Sequence, residues 1–456
     1  MTLFSIDEIL KLTEGVLLQA GNATGVCAVG IDDQNIDSGA LFVPVIVPGY
    51  DTHENISNAV KNGAVAVLTM KCDIEVPPDI AVIHVPDTIR ALYQLGKANR
   101  HRYNIPVIAV TGSSGKTTTK DIIASVLSER YHVLKTNENQ NNKIGVPLTL
   151  LSLNGSHDVA VVEMGADHIG EIESIIDAVD PGFAVITNIG TAHLESFISR
   201  ENIFKAKTEI FLKMSNENTA IINGDDEYLN RIEDVPFKVI RYGISEENSR
   251  IDVKAENIVS HMDGVSFCVE GERFHFRLPG EHNVQNCLAA ITVAGLLHLS
   301  SEDIQSGLDK VVISGNRMKI KTVNGVTYID DTYNANPNAM KAALNTLSYL
   351  GKNSIKRIAV IGDMLELGEN SRAMHMDVGA FAAAKADIII AVGNYACDYA
   401  AGAKRHLASD RIFTCADAES AYNCLVSLVC SGDIVLIKGS NAVNLKSGIV
   451  DKLPKS

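Results

Sequence analysis

The chain holds eight cysteines, and no two form a CxxC pair. That spacing argues against a disulfide frame and a cysteine-rich zinc site, and it reads as buried thiols in a reducing compartment. Positive charge is scarce. Forty Lys and Arg face 55 Asp and Glu, a formal net charge of −15, which argues against nucleic acid or an anionic membrane surface as the main partner. No apolar run is long enough to span a bilayer, and the N-terminus has no basic stretch followed by an apolar core. The expectation is a cytoplasmic, monomeric protein without membrane insertion. Repeats and low-complexity segments are also missing.

What is present is a chain of 456 residues, 46% apolar, long enough for two to four domains. Residues 1–103 alternate short apolar runs with helical patterns. Leu41 to Val47, Ala64 to Leu68 and Ala81 to Val85 read as strands, and Ile89 to Tyr103 reads as a helix leading out. Residues 104–314 contain the buried strands Asp158 to Val162 and Phe183 to Ile186. Beyond a hinge at Ser314-Gly315-Asn316, residues 315–456 repeat the pattern, with strands at Val326 to Ile329, Arg357 to Ile361, Ile388 to Val392 and Asp433 to Ile437. Strands alternating with helices predict mostly parallel sheets that bind ligands at the carboxyl ends of their strands. The predicted fold is therefore α/β in three domains: a smaller N-terminal one, a central parallel sheet with helices on both faces, and a C-terminal Rossmann-like one.

The central domain opens with Pro106-Val-Ile-Ala-Val-Thr111-Gly112-Ser113-Ser114-Gly115-Lys116-Thr117-Thr118, followed by a helical pattern from Asp121 to Leu127. This is a strand, a small-residue loop and a helix. Backbone N–H groups of such a loop and the helix N-terminus cradle nucleotide phosphates. Lys116 would reach the terminal phosphates, and Thr117 would offer its hydroxyl to Mg²⁺. The full phosphate-loop pattern carries a further glycine where this chain has Val110, so the strand-loop-helix context carries much of the weight. Glu163 closes the next strand, where a metal ligand or water-positioning acid would sit. The plainer reading is an acid at a helix N-terminus. His193 follows a third strand; a lone loop histidine is more often only hydrogen-bonded, and the company of Lys116 and Glu163 favours a ligand. Lys205 and Lys207 are two apart on a helical pattern, so they point to different faces, and their ordinary reading is a solvated surface.

Several short motifs then occur in one order: Thr111-Gly-Ser-Ser-Gly-Lys-Thr-Thr118, Glu163-Met-Gly-Ala166, Asn188 to Glu195, Lys207-Thr-Glu209, Gly280-Glu-His282-Asn283-Val-Gln-Asn286, Gly315-Asn-Arg317, Asp330-Asp331-Thr-Tyr333-Asn334, Gly362-Asp363-Met-Leu-Glu-Leu-Gly368 and Lys438-Gly-Ser440. Over about 105–440 the chain resembles the Mur ligase family, in particular its MurF-like branch. The resemblance implies an ATP-dependent ligase that activates a small-molecule carboxylate as an acyl phosphate, with ATP and Mg²⁺ as cofactors. It implies that Lys116 and Thr117 bind phosphates and Mg²⁺, that Glu163 and His193 hold metal, and that Lys207 is carbamylated to become a metal-holding carboxylate. Asn283 and Asn286 would meet adenine, while Arg317 and Asp331 would close over phosphates and ribose. The presence of Lys116, Glu163, His193 and Lys207 speaks against a regulator that has lost catalysis.

The departures from that pattern gather away from ATP. The first-domain Asp-Ser-Arg becomes Asp32-Asp33-Gln34, and Gly-x-x-x-Asp-Gly-His appears only as Pro48-Gly-Tyr-Asp51-Thr52-His53. Asn-x-Asn-Asn-Glu becomes Asn139-Gln-Asn141-Asn142-Lys143, and Asn441 stands where the family often has Arg. An acid and an amide are poor ligands for a diphosphate. Two substrate expectations follow from the resemblance. The one these departures favour is the methanogen ligase of coenzyme F(430) biosynthesis, which cyclises a propionate side chain of a nickel seco-tetrapyrrole acid. The alternative is the peptidoglycan reaction that joins D-alanyl-D-alanine to UDP-N-acetylmuramoyl-tripeptide.

Overall fold

The computed structural model describes residues 2–47, 49–315 and 317–454; Pro48 of the first-domain motif and Asn316 of the expected hinge lie outside the described residues. Among them run three main sheets. The central one has the order Val133–Lys135, Val159–Glu163, Val107–Thr111, Phe183–Ile186, Thr219–Asn223, Lys238–Gly243 and Val253–His261, each paired in parallel with its neighbour. Gly264–Val269 and Glu272–Phe276 extend it as antiparallel strands that the sequence pattern did not reveal. Alternate residues of the strand Val107–Thr111 feed two separate cores. Val107 and Ala109 pack with Val146 and Ile176, whereas Ile108 and Val110 pack with Ile122 and Leu288. Burial on both faces is why these strands read as unbroken apolar runs. From Val107–Thr111 the chain runs out to Val133–Lys135 and Val159–Glu163 on one side, then crosses to Phe183–Ile186 on the other, so the glycine loop sits at the point where the strand order reverses.

The N-terminal sheet has the order Val16–Gln19, Ala81–His84, Ala66–Thr69, Leu41–Phe42 and Val29–Gly30, with only the first pairing antiparallel. The single strand expected from Leu41 to Val47 is broken. Pro44 has no N–H for a ladder, and Ile46–Val47 turns away to pair with Tyr50–Asp51. The helix expected from Ile89 runs as Thr88–Arg100, capped by the Asp87 carboxylate, which accepts the N–H groups of Ile89 and Arg90. This helix joins the first two sheets tightly. Asn99 donates to the Leu150 and Leu153 carbonyls, and Arg100 donates to the Val179 carbonyl.

The third sheet runs Lys319–Val323, Val326–Asp331, Ile434–Lys438, Arg357–Gly362, Ile388–Val392 and Ile412–Cys415, parallel except for the first edge strand. Its faces again bury two cores, one around Ile329 and Ile361 and one around Val360 and Ile390, the mark of a Rossmann-like layer. The edge strands Lys319–Val323 and Ile412–Cys415 escaped sequence reading, because both are largely half-exposed and mixed in character. Among the described residues no helix is long and apolar enough to cross a membrane.

Candidate active site

The buried strand Val107–Thr111 delivers the chain into the glycine loop, and the helix Lys116–Leu127 leaves it. Two glycines are required by geometry. Gly112 has φ +142°, and a Cβ there would lie 2.0 Å from Thr187 Oγ1. Gly115 has φ +80°, and a Cβ would lie 2.8 Å from Asn286 Oδ1. Lys116 Nζ folds back to donate to the Gly112 carbonyl at 2.8 Å. Packing around it pushes the ammonium pKa down, with Glu163 opposing.

Glu163 ends the strand Val159–Glu163 and is only 1% exposed. It is thus not the helix N-terminal acid of the plainer reading. Its Oε1 accepts from the Thr117 hydroxyl at 3.1 Å and from Asn141 Nδ2 at 2.7 Å. Its Oε2 is buried with no hydrogen-bond partner among the described residues, and the nearest cation, Lys120 Nζ, is 3.9 Å away. A buried carboxylate oxygen without a donor, beside a threonine hydroxyl, suits an oxygen-seeking cation such as Mg²⁺. The described residues gather no cluster of three or more His, Cys, Asp or Glu for a metal, so any ion there would depend on this oxygen pair and on phosphate.

Lys207 departs from the solvated surface its spacing suggested. Lys205 is exposed, whereas Lys207 is 1% exposed, with Nζ donating to the Ala166 carbonyl at 3.0 Å. Burial pushes its pKa down to about 7, and Lys116 adds to the effect. His193 caps the short helix Leu194–Phe197 from a left-handed conformation, φ +56°. Its Nδ1 lies 2.5 Å from Glu366 Oε2 and 3.2 Å from Asp167 Oδ1. Glu366 belongs to the third sheet's loops, so this contact crosses between domains, as does the Glu195 N–H bond to the Glu366 carbonyl at 3.0 Å.

Asn283 and Asn286 lie in the first turns of the helix Glu281–Leu296, and both are buried. Asn286 accepts from the Thr119 hydroxyl at 3.1 Å, so it braces the helix that leaves the glycine loop. Arg317 stacks on Tyr333 at 3.9 Å and reaches Thr117 Oγ1 at 3.3 Å. Asp331 is held by Lys438 at 2.6 Å. These groups line a single cleft of about 760 Å³ that also takes in Val47 from the first domain and the exposed Lys143. Ser113 to Thr118, Glu163, His193, Asn283, Asn286, Arg317 and Asp331 all border it; Thr111, Gly112 and Lys207 lie behind its wall. Sequence reasoning missed Asn141 as the partner of Glu163, Glu366 as the partner of His193, and the buried pair Lys120 and Asp121. The helical run of the last two gave no hint that charge would be buried.

Residues 110–294 match the Mur ligase middle domain, and residues 316–441 match the glutamate ligase domain of Mur ligases. The chain belongs to the Mur ligase family. This Mur ligase is 34% identical over 452 residues to the UDP-N-acetylmuramoyl-tripeptide–D-alanyl-D-alanine ligase of Bacillus subtilis (strain 168), covering 98% of each chain. It superimposes on the crystal structure of MurF from Acinetobacter baumannii with a TM-score of 0.88, at 32% identity and 98% coverage of both chains. A MurF ligase from Thermotoga maritima, solved in complex with ADP, gives a TM-score of 0.80 at 27% identity, covering 93% of this chain and 96% of that one. The ligase is thus an ATP-dependent enzyme of the MurF-like branch.

These relatives give no support to the expected role in coenzyme F(430) biosynthesis or methanogenesis; their names match the peptidoglycan alternative. The structure shows what the departing segments do locally. In the ligase, Asp32 closes its own loop, accepting from the Gln34 N–H at 2.9 Å and from Asn35 Nδ2 at 2.8 Å. Asp33 accepts from Asn55 at 2.8 Å and also from Asn58. Asp51 and His53 are retained as a lock: His53 Nδ1 meets Asp51 Oδ1 at 2.6 Å, while Nε2 accepts the Met70 N–H at 3.1 Å. Asn441 stands at an exposed turn, where its carbonyl accepts the Asn444 N–H.

Proposed function

We propose that this ATP-dependent Mur ligase joins D-alanyl-D-alanine to the terminal carboxylate of UDP-N-acetylmuramoyl-tripeptide. The observation that carries the reading is the extent of the likeness. Identity of 34% runs over 98% of both chains, so it includes the first domain, where the motif departures lie. In the proposed division, residues 1–103 receive the nucleotide precursor, 104–314 hold ATP, and 315–456 bring the closing groups. The eight thiols are free, which agrees with a cytoplasmic setting, but only Cys287 and Cys415 are buried as expected, and Cys27, Cys72, Cys397 and Cys430 are exposed.

In the proposed reaction a substrate carboxylate oxygen attacks the γ-phosphorus of ATP. The bond to the bridging β-oxygen breaks and ADP leaves. The amine of the dipeptide then attacks the acyl phosphate carbon and loses a proton, and phosphate departs as the amide forms. Lys116 and the loop N–H groups would offset the negative charge that repels carboxylate from triphosphate. Thr117 and Glu163 would hold Mg²⁺, with His193 and a carbamylated Lys207 as the further ligands in this reading. Mg²⁺ supplies charge neutralisation at the phosphates. Asn283 and Asn286 would border adenine, and Arg317 and Asp331 would close over phosphate and ribose, which excludes the water that hydrolyses acyl phosphates.

The test is phosphate release from ATP and Mg²⁺ with UDP-N-acetylmuramoyl-tripeptide plus D-alanyl-D-alanine, run beside the nickel seco-tetrapyrrole acid alone. Turnover that requires both murein substrates is expected. Turnover with the tetrapyrrole acid and none with the murein pair would overturn the assignment.

A further inference from the structure

The helix that leaves the glycine loop carries Thr117 and Asp121, four residues apart and therefore stacked along one face. Asp121 is fully buried. Its Oδ1 accepts from Lys135 Nζ at 2.8 Å and lies 3.3 Å from Lys120 Nζ. Its Oδ2 faces elsewhere and accepts the backbone N–H of Ser314, 193 residues away, at 2.8 Å. Ser314 is the stretch through which the chain passes from the central to the C-terminal sheet. The Ser314 carbonyl in turn accepts Arg317 Nη1 at 2.7 Å, and Arg317 Nη2 returns to Thr117 Oγ1 at 3.3 Å. The four groups make a closed circuit from the helix, through the linker and the arginine, back to the helix one turn away.

We propose that Asp121 is a positioning residue that pins the interdomain linker to the phosphate-loop helix and so sets where Arg317 meets the nucleotide. Without the Asp121 bond, the linker peptide loses its backbone tie to that helix, and the Ser314 carbonyl that orients the guanidinium is no longer held in place from the helix side. The tie is a charge-assisted bond in a buried setting, which resists competition from water. The two lysines on Oδ1 keep the carboxylate ionised and leave Oδ2 free for the linker. Asp121 touches no reacting atom. It acts through Arg317, and it makes the position of the C-terminal domain over the phosphates depend on the same helix that forms the loop. The proposal rests on the nucleotide reading of the cleft, not on the identity of the carboxylate substrate.

The test is a double-mutant cycle read by calorimetric binding of β,γ-methylene-ATP with Mg²⁺ to the full chain. Ser314→Pro removes the donor and leaves the buried charges untouched, so it serves even if Asp121→Ala fails to fold. We expect Arg317→Ala to weaken binding about tenfold and Ser314→Pro to weaken it by a similar or smaller factor. The doubly substituted enzyme should be no weaker than Arg317→Ala within about twofold, because both changes cut one circuit. Losses that multiply would overturn the proposal, as would wild-type affinity in Ser314→Pro. Failure of the unsubstituted enzyme to bind the analogue would remove the nucleotide reading and the proposal with it, whereas failure of the murein substrates alone would leave the cycle intact.

Discussion

Withholding carbon dioxide should silence this enzyme, and the reason lies in the burial of Lys207. An ordinary lysine, with a pKa of 10.5, leaves about one amine in three thousand neutral at pH 7. At about 7, the value to which burial and Lys116 bring Lys207, about half are neutral. The population able to attack carbon dioxide is thus raised about a thousandfold. The attack forms an N–C bond and releases a proton, and it turns a cation 3.0 Å from the Ala166 carbonyl into a carboxylate beside Lys116. The new anion also turns the secondary repulsion from Lys116 into an attraction, although burial is the main cause of the lowered pKa. ADP formation should collapse in carefully purged buffer and return with bicarbonate.

The pH dependence has a definite sign. At a fixed concentration of dissolved carbon dioxide, reactivation should quicken as pH rises through about 7 and then level off. For the unmodified enzyme, the unfolded chain holds a proton between pH 7 and 10.5 that the folded one lacks, so stability should rise across that window. Below it, burial of the charged amine costs about 5 kcal/mol. Lys207→Ala should lose at least about a hundredfold in rate and recover part of it with acetate or formate. A purged enzyme at full rate, with no carbamate signal after labelling by ¹³C-bicarbonate, would refute the argument.

Lys116→Ala should abolish ADP formation, and substantial residual turnover would remove the glycine loop from the mechanism. Glu163→Gln should keep the Thr117 and Asn141 contacts to one side-chain oxygen but weaken Mg²⁺ about tenfold or more, which a titration of rate against Mg²⁺ would reveal. Gly112→Ala should destabilise the fold by several kcal/mol, since its Cβ would lie 2.0 Å from Thr187 Oγ1; a melting temperature like that of the wild type would contradict the geometry. Gln34→Arg, on an exposed loop, should raise affinity for uridine nucleotides if that loop faces the diphosphate, and unchanged calorimetric binding would show that it does not.

The parts of the site that lie in one stretch of chain were legible from sequence, because a buried strand followed by glycines and a helix has few other uses. Glu163 was legible for a related reason: an acid ending an all-apolar strand stands out. Lys207 was singled out only by the resemblance; its burial was not legible, since two lysines two apart look solvated until Phe197 and the Ala166 carbonyl are known to cover one of them. Asp121 and Lys120 were equally opaque. Their burial depends on Ser314 and on Thr136, whose carbonyl accepts Lys120 Nζ at 2.9 Å, and neither is adjacent in sequence. Pro44 carried a warning in plain view. The apolar run from Leu41 to Val47 outweighed it in the reading, although a missing N–H forbids a continuous central strand.

A motif departure bears on substrate only when the altered residue faces the ligand. Asp32 and Asp33 satisfy donors of their own loop and its neighbours, Gln34, Asn35, Asn55 and Asn58. Asp32 keeps the family residue, and the acid that replaces the hydroxyl at Asp33 is tied to Asn55 and Asn58, so that change records a rebuilt loop at least as much as a rebuilt pocket. Lys143 is the contrary case. It is exposed on the cleft itself, whose lining also includes the first-domain Val47, and a cation there can meet an anionic ligand. Against the family pattern the chain thus loses a cation at Gln34 and gains one at Lys143. On that count the substitutions favour neither a tetrapyrrole nor a murein substrate, and the weight passes to the likeness that runs through the first domain as well as the other two.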